Sequence, residues 1–189
     1  MPWYKKYLEN IWNMPNVLTM LRLILIPVYA ALFYREQMIA AMCVFVAACL
    51  TDILDGHLAR KHNQITAFGK LMDPLADKLM VVTVMLTNVL AGRLPLLPLV
   101  ILICKELYMI IGSWALIKYK DIVVYASPFG KAAQFAFCIG LALTFLHEHF
   151  ISWPVKPDIV IIWLAMALAL VACLHYTVGI FTQLKKTKG

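Results

Sequence analysis

Residues 51–78 read TDILDGHLARKHNQITAFGKLMDPLADK, set between the apolar runs 38–50 and 79–91. Four of the chain's ten acidic residues, Asp52, Asp55, Asp73 and Asp77, fall inside this stretch. Asp52, Asp55 and Ala59 are spaced i, i+3, i+7, and Gly69, Asp73 and Asp77 are spaced i, i+4, i+8, so each set shares one face of a helix. A carboxylate in a membrane helix costs on the order of 3 kcal/mol, and four would cost roughly 12 kcal/mol, comparable to a domain's whole stability. Arg60 and Lys78 could neutralise two of them at most. Four oxygen donors on two antiparallel helices suit a hard divalent cation, with Mg²⁺ the natural candidate and Mn²⁺ possible. A solvated cluster at the membrane surface is the plainer reading, but the strict one-face spacing of both sets argues against it. Gly56, Ala59 and Gly69 would leave room beside the acids for a ligand, although small residues in membrane helices also serve helix packing.

Outward from this stretch the chain is apolar almost throughout. Of 189 residues 63% are hydrophobic and 14% charged, and the mean hydropathy is +0.82, which excludes a water-soluble enzyme. Segments of about the 20 residues that cross a bilayer occur at Val17–Phe33, Met38–Arg60, Gly69–Ala91, Leu94–Ile117, Gly130–Leu146 and Ile159–Leu184. The separators carry charges and breakers, among them Arg35, Lys61, Gly92, Pro128, Pro154 and Pro157. No repeat or linker divides the sequence, so the expectation is a single domain over residues 1–189. It would be an all-α integral membrane protein, a six-transmembrane-helix bundle with a short interfacial helix at residues 1–13. The first apolar run contains Arg22 and Pro27 and precedes further spans, so it should stay in the mature protein.

The formal charge of +7 would suggest nucleic acid in a soluble protein, but here the cations mark topology. With the N-terminus in the cytoplasm, eleven Lys and Arg fall inside and three outside (Arg35, Arg93, Lys156), which predicts cytoplasmic termini and no nucleic-acid partner. The five cysteines all lie in apolar runs without C-x-x-C spacing and read as small buried hydrophobes. No histidine pairs with a carboxylate at metal-ligand spacing on the cytoplasmic side, and no Ser-His-Asp set or phosphate-binding glycine loop is present. The chemistry rests on the aspartates.

Written as a pattern, the stretch is Asp52-x2-Asp55-Gly56-x2-Ala59-Arg60-x8-Gly69-x3-Asp73-x3-Asp77. It resembles the signature of the CDP-alcohol phosphotransferase family, and each of its eight positions is matched within 26 residues. Pro15-Asn16-x2-Thr19-x2-Arg22 and Asp73-Pro74-x-Ala76-Asp77-Lys78 look like the phosphatidylglycerophosphate synthase and cardiolipin synthase branches, and the resemblance covers most of residues 13–120. It implies transfer of the phosphatidyl group of CDP-diacylglycerol to an alcohol with release of CMP, in a six-helix homodimer with a cytoplasm-facing cavity. Carried over position by position, Asp52, Asp55, Asp73 and Asp77 would bind metal, and Asp77 would also be the catalytic base. Gly56, Ala59, Arg60 and Gly69 would line the cytidine and phosphate site.

Lys105 and Glu106 in the fourth span and Lys131 at the start of the fifth are candidates for binding an anionic acceptor. A buried ion pair and ordinary cytoplasmic charge are the plainer readings. Many phosphatidylglycerophosphate synthases open the fourth helix with Ala-Arg-Glu, add an arginine two turns on, and begin the fifth with Gly-Lys-x-Lys-Thr. Here stand Cys104-Lys105-Glu106, Ser113 and Gly130-Lys131-Ala132-Ala133-Gln134. Glycerol 3-phosphate is the expected acceptor, phosphatidylglycerol the alternative. A bacterial inner membrane is the expected location, with the active site facing the cytoplasm and lipids as the surrounding partners. An ion or proton transporter is the distant alternative; it would predict inverted repeats or broken mid-membrane helices, whereas these carboxylates cluster at one end of their helices.

Overall fold

The computed structural model describes the backbone of residues 14–62, 67–120 and 128–186, with side chains at 17–51, 72, 75–112 and 128–180. The interfacial segment expected at residues 1–13 lies outside the described residues. Among these the chain is all helical: α1 (Met14–Tyr34), α2 (Met38–His62), α3 (Ala67–Leu90), α4 (Leu96–Lys120), α5 (Pro128–Thr144) and α6 (Pro157–Lys186), with one helical turn at His147–Phe150. The six long helices coincide, to within a few residues, with the six apolar segments read from the sequence. Among the described residues, two stretches, Val17–Tyr34 and Pro157–Ile180, are long and apolar enough to cross a membrane, and Met38–Thr51 is a shorter apolar stretch.

Local chemistry sets the boundaries. At the end of α1 the Gln37 N–H donates to Leu32 O and the Glu36 N–H to Phe33 O, both at 3.0 Å, while Glu36 takes a left-handed φ of 60°. This paired closure satisfies two terminal carbonyls and turns the chain into α2. Gly92, with φ 69°, makes the corresponding left-handed turn after α3, where a side chain would be strained. Pro128 and Pro157 each occupy the first position of a helix, where the missing N–H is no loss and φ is already helical.

The chain divides into two compact units, Met1–Leu90 and Ala91–Gly189. In the first, α1 packs on both α2 and α3. Its core holds Tyr29, Phe33, Ala41, Phe45, Ala48, Ala76, Met80 and Val84, all nearly inaccessible. Thr87 Oγ1 donates to Val84 O at 3.0 Å, so the Tyr29 hydroxyl, 2.7 Å away, donates to Thr87 and ties α1 to α3. In the second unit α5 lies against α6 so closely that a Cβ on Gly140 would stand 2.9 Å from Ile162 Cγ1 and 3.3 Å from its backbone nitrogen. His147 Nδ1–H donates to Asp158 Oδ2 at 2.5 Å, clipping the helical turn to the start of α6. Polar side chains in the helices are largely satisfied locally: Thr51, Thr87, Thr144 and Thr177 each donate to a carbonyl three or four residues back. Outward-facing positions such as Ile24, Leu90, Leu174 and Val178 are more than 60% exposed, an apolar exterior of the kind that lipid covers.

Candidate functional site

The three helices of the first unit each carry a core-facing stripe, and the polar residues of interest continue those stripes. On α1 the buried positions are Thr19, Arg22, Tyr29 and Phe33, spaced i, i+3, i+10, i+14. On α2 they are Ala41, Phe45 and Ala48; continued at 100° per residue, this arc runs through Asp52, Asp55 and Ala59. On α3 they are Ala76, Met80, Val84, Thr87 and Asn88, and Gly69, Asp73 and Asp77 fall within the same arc. The backbone at all these positions is helical. The side chains of Asp52, Asp55, Gly56, Ala59, Arg60, Gly69 and Asp73 lie outside the described residues. Asp77 is half-buried and has an interaction partner, as do Lys78 and Arg22.

The chemistry of the donor set fits a hard divalent ion: four carboxylates, with no thiolate or imidazole on the continued arcs. Among the described residues no group of three or more His, Cys, Asp or Glu side chains comes together, since Asp77 is the one acid of the string whose side chain is described. The cysteines carry no alternative site; all five are free and scattered over α2, α4, α5 and α6.

Within the second unit, Lys105 and Glu106 are adjacent on α4 and ion-paired, with side chains only 14% and 15% exposed. Lys131 is exposed near the start of α5. Two buried polar features went unrecognised in the sequence. The His147–Asp158 pair joins residues read as loop and helix end, and nothing in their spacing points to a bond. Thr19 and Arg22, fully buried on α1 at 0% and 1% exposure, were read in the sequence as part of the Pro15-Asn16-x2-Thr19-x2-Arg22 pattern, but not as members of the stripe that faces the aspartate-bearing helices.

Comparison with known proteins bears on the same residues. The CDP-alcohol phosphatidyltransferase family model matches residues 12–172. A protein of Rickettsia typhi named CDP-diacylglycerol–glycerol-3-phosphate 3-phosphatidyltransferase is 33% identical over 172 residues, covering 87% of this chain and 94% of the relative. Its counterpart in Rickettsia prowazekii is also 33% identical, covering 87% and 93%. A cardiolipin synthase (CMP-forming) of Rattus norvegicus is 34% identical over 177 residues, 93% of this chain and 56% of the relative. The match takes in α1 to α5 and the first half of α6, with every aspartate of the string inside it. On that extent of similarity the chain belongs to the CDP-alcohol phosphatidyltransferase family.

Proposed function

We propose that this protein transfers the phosphatidyl group of CDP-diacylglycerol to glycerol 3-phosphate, forming phosphatidylglycerophosphate and CMP in phospholipid biosynthesis. The observation that carries the reading is the two one-face sets of aspartates, Asp52 and Asp55 on α2 and Asp73 and Asp77 on α3, inside a family match that spans most of the chain. The acceptor hydroxyl attacks the phosphorus that bears diacylglycerol, a new P–O bond forms, and the bond to the CMP phosphate breaks. Asp77 takes the hydroxyl proton, and its half-buried position beside Ala76 holds the carboxylate at the edge of the core. Asp52, Asp55, Asp73 and Asp77 would hold Mg²⁺ or Mn²⁺. A divalent ion bound there supplies charge neutralisation on the pyrophosphate and on the departing CMP.

Gly56, Ala59 and Gly69 keep the helix surfaces beside the acids free of bulk for cytidine and phosphate, and Arg60 contributes a cation to the phosphates. Lys105 and Lys131 bind the phosphate of the acceptor. The whole chain acts as one membrane domain of six spanning helices with an interfacial N-terminal segment, both termini and the reaction centre on the cytoplasmic side, as a homodimer in a bacterial inner membrane. The excess of cations on one set of loops supports that orientation.

A second reading has its own support. Ser113 and Ala133 stand where many glycerol 3-phosphate users carry cations, and a cardiolipin synthase is among the relatives. Phosphatidylglycerol is then the acceptor and the same aspartates do the same work. CMP release by the detergent-purified protein with CDP-diacylglycerol and Mg²⁺ separates the two. Stimulation by glycerol 3-phosphate, absent in Asp77→Asn, is the expected result; stimulation by phosphatidylglycerol alone moves the chain to the second reading, and release by neither refutes both.

A further inference from the structure

We propose that Arg22 is a positioning residue of the aspartate cluster, the internal counter-cation that holds Asp77 and the acidic end of α2 in place. Its side chain is in the core, 1% exposed, and a guanidinium taken out of water costs several kcal/mol unless a carboxylate or comparable acceptors meet it. Helix register indicates which carboxylates are near. The Tyr29–Thr87 hydrogen bond sets these two residues level on α1 and α3. An antiparallel arrangement would carry Thr19 and Arg22 beyond the end of α3 at Leu90, away from it, yet both are fully buried. In the parallel arrangement Thr19 is level with Asp77 and Arg22 with Met80. Asp77 is then three residues, about 4.5 Å along the axis, from Arg22, within reach of a guanidinium on its three-methylene stem.

The α1–α2 hairpin leads to the same level independently. Its turn is centred on Glu36, so Arg22, fourteen residues before it, stands opposite Leu50, fourteen after it, and Asp52 lies two residues on. Other cations described in this unit do not fill the role. Arg35 is in the turn at the opposite end of α1, and Lys78 lies outside the arc of Ala76, Met80 and Val84, a further 100° around α3 from Asp77. Arginine suits the position because its guanidinium stays charged in an apolar setting.

The inference deepens the proposed function, and it rests on that reading only for its effect on turnover. A double-mutant cycle on thermal unfolding of the detergent-solubilised, metal-free protein tests it without substrate. Arg22→Met, close in shape and uncharged, should lower the midpoint by roughly 10 °C in the parent protein, and by less than half as much in an Asp77→Asn or Asp52→Asn background. Arg22→Lys should lie between parent and Arg22→Met. An equal drop in all three backgrounds overturns the proposal. If Arg22→Met does not fold, recovery of folding in either double variant supports the assignment and failure of both overturns it. In CMP release, Arg22→Met should lower kcat more than tenfold with KM for CDP-diacylglycerol within about threefold, partly rescued in Arg22→Lys. Absence of CMP release from the parent protein would refute the proposed function and leave the thermal cycle to decide the role of Arg22.

Discussion

Replacing His147 with alanine removes the partner of a carboxylate that has no access to solvent. Asp158 is 0% exposed, its Oδ2 is bonded to His147 Nδ1 at 2.5 Å, and among the described residues its Oδ1 accepts no hydrogen bond. His147→Ala therefore strands a charge whose compensation comes mainly from the first turn of α6, at a cost of about 3–5 kcal/mol. Asp158→Ala loses the charge-assisted bond and its favourable place at the helix start, about 2–4 kcal/mol together, and relieves the burial of Oδ1, which brings the net to about 2–3 kcal/mol. For a chain of this size each kcal/mol shifts the unfolding midpoint by about 2–4 °C. Circular dichroism melts in one detergent should thus show losses of roughly 10 °C for His147→Ala and roughly 7 °C for Asp158→Ala. Glu148→Ala is the control. Its ion pair with Arg93 is 2.9 Å long, but the Glu148 side chain is 71% exposed, so the loss should stay under about 3 °C. If His147→Ala and Asp158→Ala cost no more than Glu148→Ala, the clip does not hold the turn onto α6 and the burial argument is wrong.

Three further outcomes follow from named contacts. Gly140→Ala drives a methyl to 2.9 Å from Ile162 Cγ1 and should cost about 1–3 kcal/mol by overpacking; shortening the neighbour, in Gly140→Ala with Ile162→Ala, should restore part of that loss in the same melt, whereas full additivity would refute the contact. Asp55→Ala and Asp73→Ala should each raise the Mg²⁺ concentration for half-maximal CMP release at least tenfold or abolish release, and an unchanged Mg²⁺ requirement removes that residue from the metal site. Lys131→Ala, at an exposed position, should raise the KM for glycerol 3-phosphate severalfold and leave that for CDP-diacylglycerol unchanged; equal KM values return Lys131 to a topological role.

Much of this protein is legible in its residue order. Helix positions follow from apolar runs ended by charge, glycine and proline, because backbone hydrogen bonding and side-chain burial are local and periodic. The acidic string is legible for the same reason: carboxylates at i, i+3 and i, i+4 in an apolar helix mark a face whatever the rest of the fold does. The family resemblance rests on the same local spacing, and the extended match bears it out. Other features depend on residues far apart in sequence. That Arg22 belongs to the stripe facing the aspartate-bearing helices depends on how α1 is rotated and slid against α3, which the Tyr29–Thr87 bond across 58 residues fixes. His147 and Asp158 are separated by a loop with no periodicity, so only the folded hairpin brings a ring nitrogen to a buried carboxylate. Gly140 reads as one more small residue until α6 puts Ile162 against it. Sequence by itself determined which faces exist and what chemistry they carry; tertiary structure decided which faces meet, because register and rotation between helices are set by packing of side chains that no local pattern brings together.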